Sequence, residues 1–180
     1  FRFRRTLEEA SHFGILATDR RMVNSDGSGS VVGFDTRYKF NKTYQVELQT
    51  LFSKTQEPTD SLLVSNETFG DNNTFTFDGE SFTGNAFELE FRRETEHWGL
   101  ETGYDHKTPT FRADNGFISN NNQRRVYLQS FWVYTPDKLI SKIVGGFHTG
   151  VEYNFEGEKK SRYTAFFGNE IGRASCRERV

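Results

Sequence analysis

Residues 31–53 decide the fold, and they read VVGFDTRYKF, then NKT, then YQVELQTLFS. In both runs the even positions carry most of the large apolar side chains, and apart from Val31 and Leu51 most odd positions are charged or amide-bearing. Because successive side chains of a strand point to opposite faces, each run predicts a strand with one apolar and one polar face. With NKT as the turn, Phe40 opposes Tyr44 and Arg37 opposes Glu47, so each face keeps its character across the pair.

The same period of two recurs along the rest of the chain. Candidate strands lie at residues 11–19, 31–40, 44–53, 83–93, 97–105, 123–134, 143–155 and 161–169, and residues 1–4 predict the end of an earlier strand. A second hairpin is predicted with Glu94 and Thr95 as its turn, which places Phe91 opposite Trp98 and Leu89 opposite Leu100. Short connections alternate with long ones at 20–30, 54–82 and 106–122, which predicts an up-and-down meander.

Two architectures produce this alternation. A soluble sandwich would bury the apolar face, whereas a transmembrane barrel turns it toward lipid and keeps the polar face inside. The test set is Phe34, Tyr38, Leu48, Phe87, Leu89 and Leu100, which form a core in the sandwich and an outer band in the barrel. Strand lengths near those needed to cross a bilayer, aromatic residues at both strand ends and the alternating loop lengths favour the barrel. We therefore expect an all-β, antiparallel, up-and-down transmembrane β-barrel, present as an open fragment of about eight strands.

Composition excludes several classes of protein. The chain has 180 residues, a formal net charge of −2 and 16% aromatic residues, and its mean hydropathy is −0.74. It has no basic stripe of the kind that binds nucleic acid, and no apolar run of about 20 residues that would make a transmembrane helix.

Several stretches in order along the chain carry a family resemblance. They are HFGILATDRR (12–21), VGFD (32–35), YQVELQ (44–49), GYD (103–105), FRADNGF (111–117) and the strand at 125–134. On these, the sequence resembles the C-terminal outer-membrane barrel of the domain-of-unknown-function family numbered 5916, over most of residues 11–169. The resemblance implies a Gram-negative outer-membrane location and an upstream module similar to family 9 carbohydrate-binding domains. It implies no demonstrated activity.

The end of the chain differs from the rest. Residues 171–180, IGRASCRERV, resemble a translated sequencing adapter, so we treat 1–169 as a partial outer-membrane barrel domain and 170–180 as an artefactual tail. The single cysteine, Cys176, lies in that tail. No disulfide, cysteine metal site or cysteine nucleophile is therefore expected in residues 1–169.

The barrel prediction assigns side chains to two environments. The polar residues expected to face the lumen are Arg37, Lys39, Glu47, Glu88, Glu90, Arg92, His97, Glu101, His148 and Glu152. The aromatic residues expected to face lipid are Phe34, Tyr38, Phe40, Tyr44, Phe87, Phe91, Trp98, Tyr104, Phe147 and Tyr153. The mixed charges predict either a pore that selects ions or a ladder of ion pairs across strands.

We expect a membrane scaffold or pore, linked to carbohydrate binding or uptake through the upstream module. Outer-membrane lipid is then the expected partner, with oligosaccharide bound by that module and no nucleic acid. One alternative is an outer-membrane hydrolase, which needs a serine within reach of His97 or His148. The other is a soluble secreted sandwich that binds carbohydrate.

The loop at 70–80 offers carboxylates for Ca²⁺. Asp71, Asp78 and Glu80 are hard oxygen ligands of the kind that calcium takes, but their spacing does not match an EF-hand loop. A solvated outer loop is the favoured interpretation, and no metal or cofactor is expected.

Overall fold

The structure is a computed structural model, and it describes residues 1–23, 25–70, 72–113, 120–136 and 140–172. It is all-β, and the only helical element in these ranges is one 3-10 turn at Glu8–Ala10. The strands are β1 (Arg2–Thr6), β2 (His12–Arg21), β3 (Ser28–Phe40), β4 (Tyr44–Gln56), β5 (Thr68–Phe69), β6 (Asn73–Thr74), β7 (Ser81–Glu94), β8 (Trp98–Lys107), β9 (Gln123–Tyr134), β10 (Ile140–Tyr153) and β11 (Lys159–Gly172). Within the described ranges, no helix has the length and apolar character that crossing a membrane requires.

Nine of the strands form one antiparallel sheet in the order β1-β2-β3-β4-β7-β8-β9-β10-β11. Each strand pairs with the next long strand of the chain, so the connectivity is an up-and-down meander. The short β5 and β6 form a separate hairpin inside the β4–β7 connection. The sheet is open, because no ladder joins its edge strands β1 and β11 in the described part of the chain.

The eight predicted strands and the short strand at the N-terminus are all present. The β3–β4 register is confirmed, with Phe40 opposite Tyr44 and Arg37 opposite Glu47. The turn between them places Asn41 and Lys42 at φ of 52° and 53°. This is the left-handed backbone conformation, which residues other than Gly, Asn and Asp adopt uncommonly. Most strands extend further into the long loops than predicted; β4, for example, runs to Gln56.

The predicted register of the β7–β8 hairpin is wrong. Phe91 lies opposite Thr102, not Trp98, and Leu89 lies opposite Tyr104, not Leu100. The turn lies two residues later than predicted, at Glu96 and His97, because Thr95 and Trp98 close it. The Thr95 hydroxyl donates to the Trp98 carbonyl at 2.7 Å, and the Thr95 backbone N–H donates to the same oxygen at 3.0 Å. The shift is an even number of residues, so every side chain keeps its predicted face.

The connections alternate in length between the two ends of the sheet. The turn end carries the connections at residues 7–11, 41–43 and 95–97, and the loop end carries those at 22–27, 57–80, 108–122 and 154–158. The sheet likewise has two faces, which we name by their residues: the polar face carries Arg37, Glu47 and Glu90, and the apolar face carries Tyr38, Leu48 and Leu89.

The buried apolar residues lie on the unexpected side of the sheet. Val31, Phe82 and Ala86 are buried on the polar face near the loop end, where Phe111 of the β8–β9 connection covers the sheet with 2% of its surface exposed. The apolar face carries exposed side chains, among them Tyr38 at 58%, Phe52 at 60% and Val126 at 51%. The core of this chain therefore lies between the polar face and the loops that fold onto it.

Candidate functional site: the polar face

A network of ion pairs crosses the middle of the polar face. Arg37 on β3 contacts Glu47 on β4 through two nitrogens, at 3.0 and 3.1 Å. Arg92 on β7 lies 2.8 Å from Glu90 and 3.1 Å from Glu101 on β8. Arg37–Glu47 and Arg92–Glu101 pair across neighbouring strands whose alternate residues share a face, whereas Glu90 and Arg92 lie two residues apart on β7. They neutralise much of the acidic charge at the centre of the sheet.

The network continues at both sides. On β9 the Arg125 guanidinium lies 2.7 Å from Asp105, whose other oxygen accepts from Gln123 Nε2 at 3.2 Å. At the opposite edge, Arg2 and Arg4 of β1 reach Asp35 at 3.3 and 3.4 Å. The arginines span β2 because Gly14 lies between them and β3, and a Cβ at Gly14 would lie 2.7 Å from Asp35 Oδ1.

Glycines on the polar face make room for tyrosine rings. Gly103 on β8 pairs with Tyr127 on β9, and a Cβ at Gly103 would lie 2.6 Å from that ring. The Tyr127 hydroxyl therefore crosses β8 and donates to Glu90 Oε2 at 3.0 Å. In the same way Tyr163 lies over Gly150 and its hydroxyl sits 3.0 Å from His148 Nε2. The sequence shows glycines on this face but not the partners that need their space.

Nine of the ten residues predicted to face a lumen lie on the polar face; they are Arg37, Lys39, Glu47, Glu88, Glu90, Arg92, Glu101, His148 and Glu152. The exception is His97, which lies exposed in the turn before β8, since the strand begins at Trp98. Glu88 and Glu152 line a cavity of about 520 Å³ together with Asp105 and Arg125. A larger cavity of about 950 Å³ opens among the loops at the loop end, away from the central ion pairs.

The β8–β9 connection lines the smaller of these two cavities, the one that contains Glu88 and Glu152, at its loop end. The backbone of Phe111 lies against Gly84 on β7, where a Cβ would come within 2.4 Å of it. The next residue, Arg112, lies 2.7 Å from Glu57 Oε1 and places its guanidinium over the rings of Phe69 and Phe82. Glu57 is 1% exposed. Burial raises the pKa of its carboxyl above the usual value, against the opposing effect of Arg112.

The apolar face carries rows of aromatic rings at both ends. Near the turn end Tyr44 lies 5.3 Å from Phe40 and 6.1 Å from Phe91, and Arg93 lies over the Trp98 ring at 4.2 Å. Near the loop end the Phe87 ring contacts Tyr104 at 6.1 Å. All ten aromatic residues predicted to face lipid lie on this face: Phe34, Tyr38, Phe40, Tyr44, Phe87, Phe91, Trp98, Tyr104, Phe147 and Tyr153.

Several hydroxyl groups on the apolar face are bonded within the sheet. Thr36 Oγ1 donates to the His12 carbonyl at 2.9 Å, and Thr102 Oγ1 donates to the Tyr127 carbonyl at 2.9 Å. Thr149 does the same to the Tyr163 carbonyl at 3.0 Å. Trp98 Nε1 donates to Ser130 Oγ at 2.9 Å, and that hydroxyl donates to a backbone carbonyl. These groups do not need water, since their hydrogen bonds are already made.

The histidines do not form a hydrolytic site in the described residues. His148 bonds to Tyr163, and neither His148 nor His97 has a serine hydroxyl within hydrogen-bond distance there. His106 lies on the apolar face, where Nε2 contacts Asn85 Oδ1 at 2.7 Å. His12 lies 3.3 Å from Asp35, a carboxylate that Arg2 and Arg4 also hold. No nucleophile, base and orienting group meet in the described ranges.

Comparisons with family models, with curated proteins and with solved structures found no match to this chain.

Proposed function

We propose that this chain is part of an outer-membrane β-barrel in which the polar face lines the lumen and the apolar face contacts lipid. The barrel acts as a membrane scaffold or pore. The observation that carries the proposal is the placement of apolar side chains. Phe34, Tyr38 and Leu89 are exposed and none of the six test residues is buried. A soluble monomer rarely exposes so broad an apolar surface, whereas a lipid-facing band requires it.

The polar groups support the same proposal. Hydroxyls on a lipid-facing surface must bond within the protein, because the bilayer core has no water to accept from them. Thr36, Thr102 and Thr149 on the apolar face do bond within the sheet. The central ion pairs, Arg37 with Glu47 and Arg92 with Glu101, lie on the other face, where a wetted lumen would hydrate them.

The dimensions also fit a bilayer. Tyr44 and Phe52, the aromatic residues near the two ends of the β4 apolar face, lie eight positions apart on this strand, and about 9–11 residues of a tilted strand cross a bilayer. A lipid-facing band of a barrel is about 25 Å tall, with aromatic girdles at both edges. Arg93 over the Trp98 ring fits a girdle, where a long cationic side chain reaches the headgroups.

The lumen would be partly filled. The β8–β9 connection places Phe111 against the polar face, and mixed charges fill the centre of the sheet. The proposed barrel therefore conducts weakly while this connection is docked. The resemblance to the family numbered 5916 adds the expectation of an upstream carbohydrate-binding-like module, and any role in oligosaccharide uptake rests on that resemblance alone.

Heat modifiability tests the barrel. The gene that encodes this chain is expressed with its own signal sequence, and the product is fractionated and run unheated and boiled on a detergent gel. The proposal expects a band in the outer-membrane fraction that migrates faster unheated. A soluble product without such a shift contradicts it, and sugar binding by a secreted sandwich then becomes the leading hypothesis.

A further inference from the structure

The β4–β7 ladder continues beyond the strands into the loop end. The Glu57 N–H donates to the Glu80 carbonyl at 2.9 Å, and Thr59 forms a bridge with Asp78. Glu57 is therefore directly opposite Glu80, in the same register that pairs Gln56 with Ser81. Asp78 lies two residues before Glu80, so its side chain shares that face.

Three carboxylates consequently meet at one point. One oxygen from each of Glu57, Asp78 and Glu80 lies within 4.8 Å of the others. Like charges placed directly opposite across a ladder are destabilising. Arg112 balances only one of the three negative charges, through Glu57 Oε1.

Each carboxylate keeps one oxygen that no described residue hydrogen-bonds. Asp78 Oδ1 accepts from the Glu80 N–H at 3.2 Å, and Glu80 Oε2 accepts from the Thr74 N–H at 2.8 Å. Glu57 is only 1% exposed. Its Oε2 is therefore buried, and it has no hydrogen-bond donor among the described residues. A buried charged oxygen without a donor is costly unless a cation binds it.

We propose that Glu57, Asp78 and Glu80 bind a Ca²⁺ ion at the loop end. Calcium takes several hard oxygens at about 2.3–2.6 Å, so any two of its ligands lie no more than about 5 Å apart, a limit that these three oxygens meet. Mg²⁺ gives up its water reluctantly and is usually bound through one or two carboxylates, so a group of three carboxylates favours Ca²⁺. Water completes the coordination shell on the exposed side of Asp78.

The ion would fasten the loops over the polar face. It neutralises the charge that Arg112 leaves unbalanced, and Arg112 in turn packs on Phe69 and Phe82 beside the buried Phe111. Glu57 was not a candidate ligand in the sequence, because it lies 21 residues before Asp78 along the chain. Asp71, a ligand candidate in the sequence, lies outside the described residues.

Calcium titration of the full chain in detergent tests the site by calorimetry, with CaCl₂ as the probe and MgCl₂ in parallel. We expect one saturable Ca²⁺ site, at least tenfold weaker binding in Glu80→Gln and Asp78→Asn, and weaker binding of Mg²⁺. Glu67→Gln, which removes an exposed carboxylate from the same loop, is the matched control and should bind Ca²⁺ as the unaltered chain does.

Absence of a saturable Ca²⁺ site in the unaltered chain overturns the proposal, as does equal affinity in Glu80→Gln. Equal losses in all three variants mean diffuse charge screening and also overturn it. Hydrogen exchange at the Arg112 amide gives a second measurement, since Ca²⁺ should slow it in the unaltered chain and not in Glu80→Gln. Neither measurement requires conduction, so failure of the site leaves the membrane proposal standing.

Discussion

At the scale of single residues, the polar face is packed by large tyrosine rings that lie over glycines of the neighbouring strand. Gly103 lets the Tyr127 ring cross a whole strand to reach Glu90, and Gly150 does the same for Tyr163 and His148. A polar face built this way is rigid, because each ring fills the space over one glycine and its hydroxyl bonds to one partner. The glycines are therefore structural rather than flexible points in the strands.

The first prediction concerns Gly103→Ala. The added methyl group would lie 2.6 Å from the Tyr127 ring, so the ring must move and lose its bond to Glu90. We expect the free energy of unfolding to fall by about 1–3 kcal/mol, as for other overpacked sites. Gly168→Ala is the control, because no heavy atom among the described residues lies within 4 Å of a Cβ there. Urea unfolding in lipid vesicles measures both, and equal effects would contradict the packing account.

The second prediction compares neighbours on β4 that face opposite ways. Leu48 lies on the apolar face midway between Tyr44 and Phe52, so Leu48→Arg should cost about 2–4 kcal/mol in a bilayer. Gln49→Arg places the same charge on the polar face, opposite Asp35 and Glu88, and should be tolerated. Urea unfolding in lipid vesicles measures the free energy of unfolding of both variants. A larger cost for Gln49→Arg than for Leu48→Arg would mean that the polar face contacts lipid, which contradicts the proposal.

The sequence could predict which face each of these side chains takes, because alternation depends only on strand parity. It could not predict the contact between Tyr127 and Glu90, which are 37 residues apart and meet only across an intervening strand. His97 shows a further limit. Its parity fitted the polar face, but the Thr95 hydrogen bonds move the start of β8 to Trp98 and leave His97 in the turn.

At the scale of elements, an ion pair to the buried Glu57 helps to hold the β8–β9 connection on the sheet. Arg112 pairs with Glu57 at 2.7 Å, and its backbone N–H donates to Ser53 Oγ at 3.2 Å. The docked connection covers the polar face of β4 and β7 with Phe111. Loss of the pair should therefore open the loop end without unfolding the sheet.

The third prediction is that Arg112→Met undocks this connection. The substitution keeps an apolar side chain near Phe69 but leaves the Glu57 carboxylate buried without its partner, at a cost of about 1–3 kcal/mol. Faster hydrogen exchange at residues 110–113, with unchanged exchange in β3, is the expected result. Adding Glu57→Gln should restore much of the protection, because the uncompensated charge is gone. Unchanged exchange in the single variant would contradict this role for the pair.

The fourth prediction is a pH dependence of the same docking. Burial raises the pKa of Glu57 above its ordinary value of 4.5 in the docked state. The docked form therefore binds a proton more tightly than the open form, so docking strengthens as pH falls through the raised pKa toward 4.5 and weakens as pH rises. Protection factors of the Arg112 amide at about pH 5 and about pH 8, in EGTA, measure it. Glu57→Gln should remove the dependence, and a dependence of opposite sign would refute the assignment.

Register shows what local patterns can and cannot predict. The β3–β4 register follows from the sequence because the three-residue turn and two chemically consistent faces allow few alternatives. The β7–β8 register needs the Thr95 closure, which no alternation of apolar residues reveals. The β5–β6 hairpin and the extension of the β4–β7 ladder to Glu57 and Glu80 depend on loop contacts rather than on any period, and the sequence did not indicate them.

At the scale of the whole molecule, the sheet exposes many apolar side chains on one face, and its buried apolar side chains lie under the loops on the other. That arrangement is stable in water only if another surface covers the apolar face, and in a membrane the lipid chains would cover it. The edge strands β1 and β11 present unpaired backbone groups in this open sheet. Closure onto each other or onto further strands is what a membrane-spanning sheet requires.

The two tryptophans of the chain allow the central claim to be tested directly. Trp98 and Trp132 pair across β8 and β9, and both lie exposed on the apolar face near the turn end. The chain is folded into vesicles, β-sheet content is verified by circular dichroism, and fluorescence is compared with and without brominated lipid. We predict strong quenching by the brominated chains and weak quenching by acrylamide from the water. Strong acrylamide quenching with no effect of brominated lipid would place the apolar face outside the membrane and contradict the account.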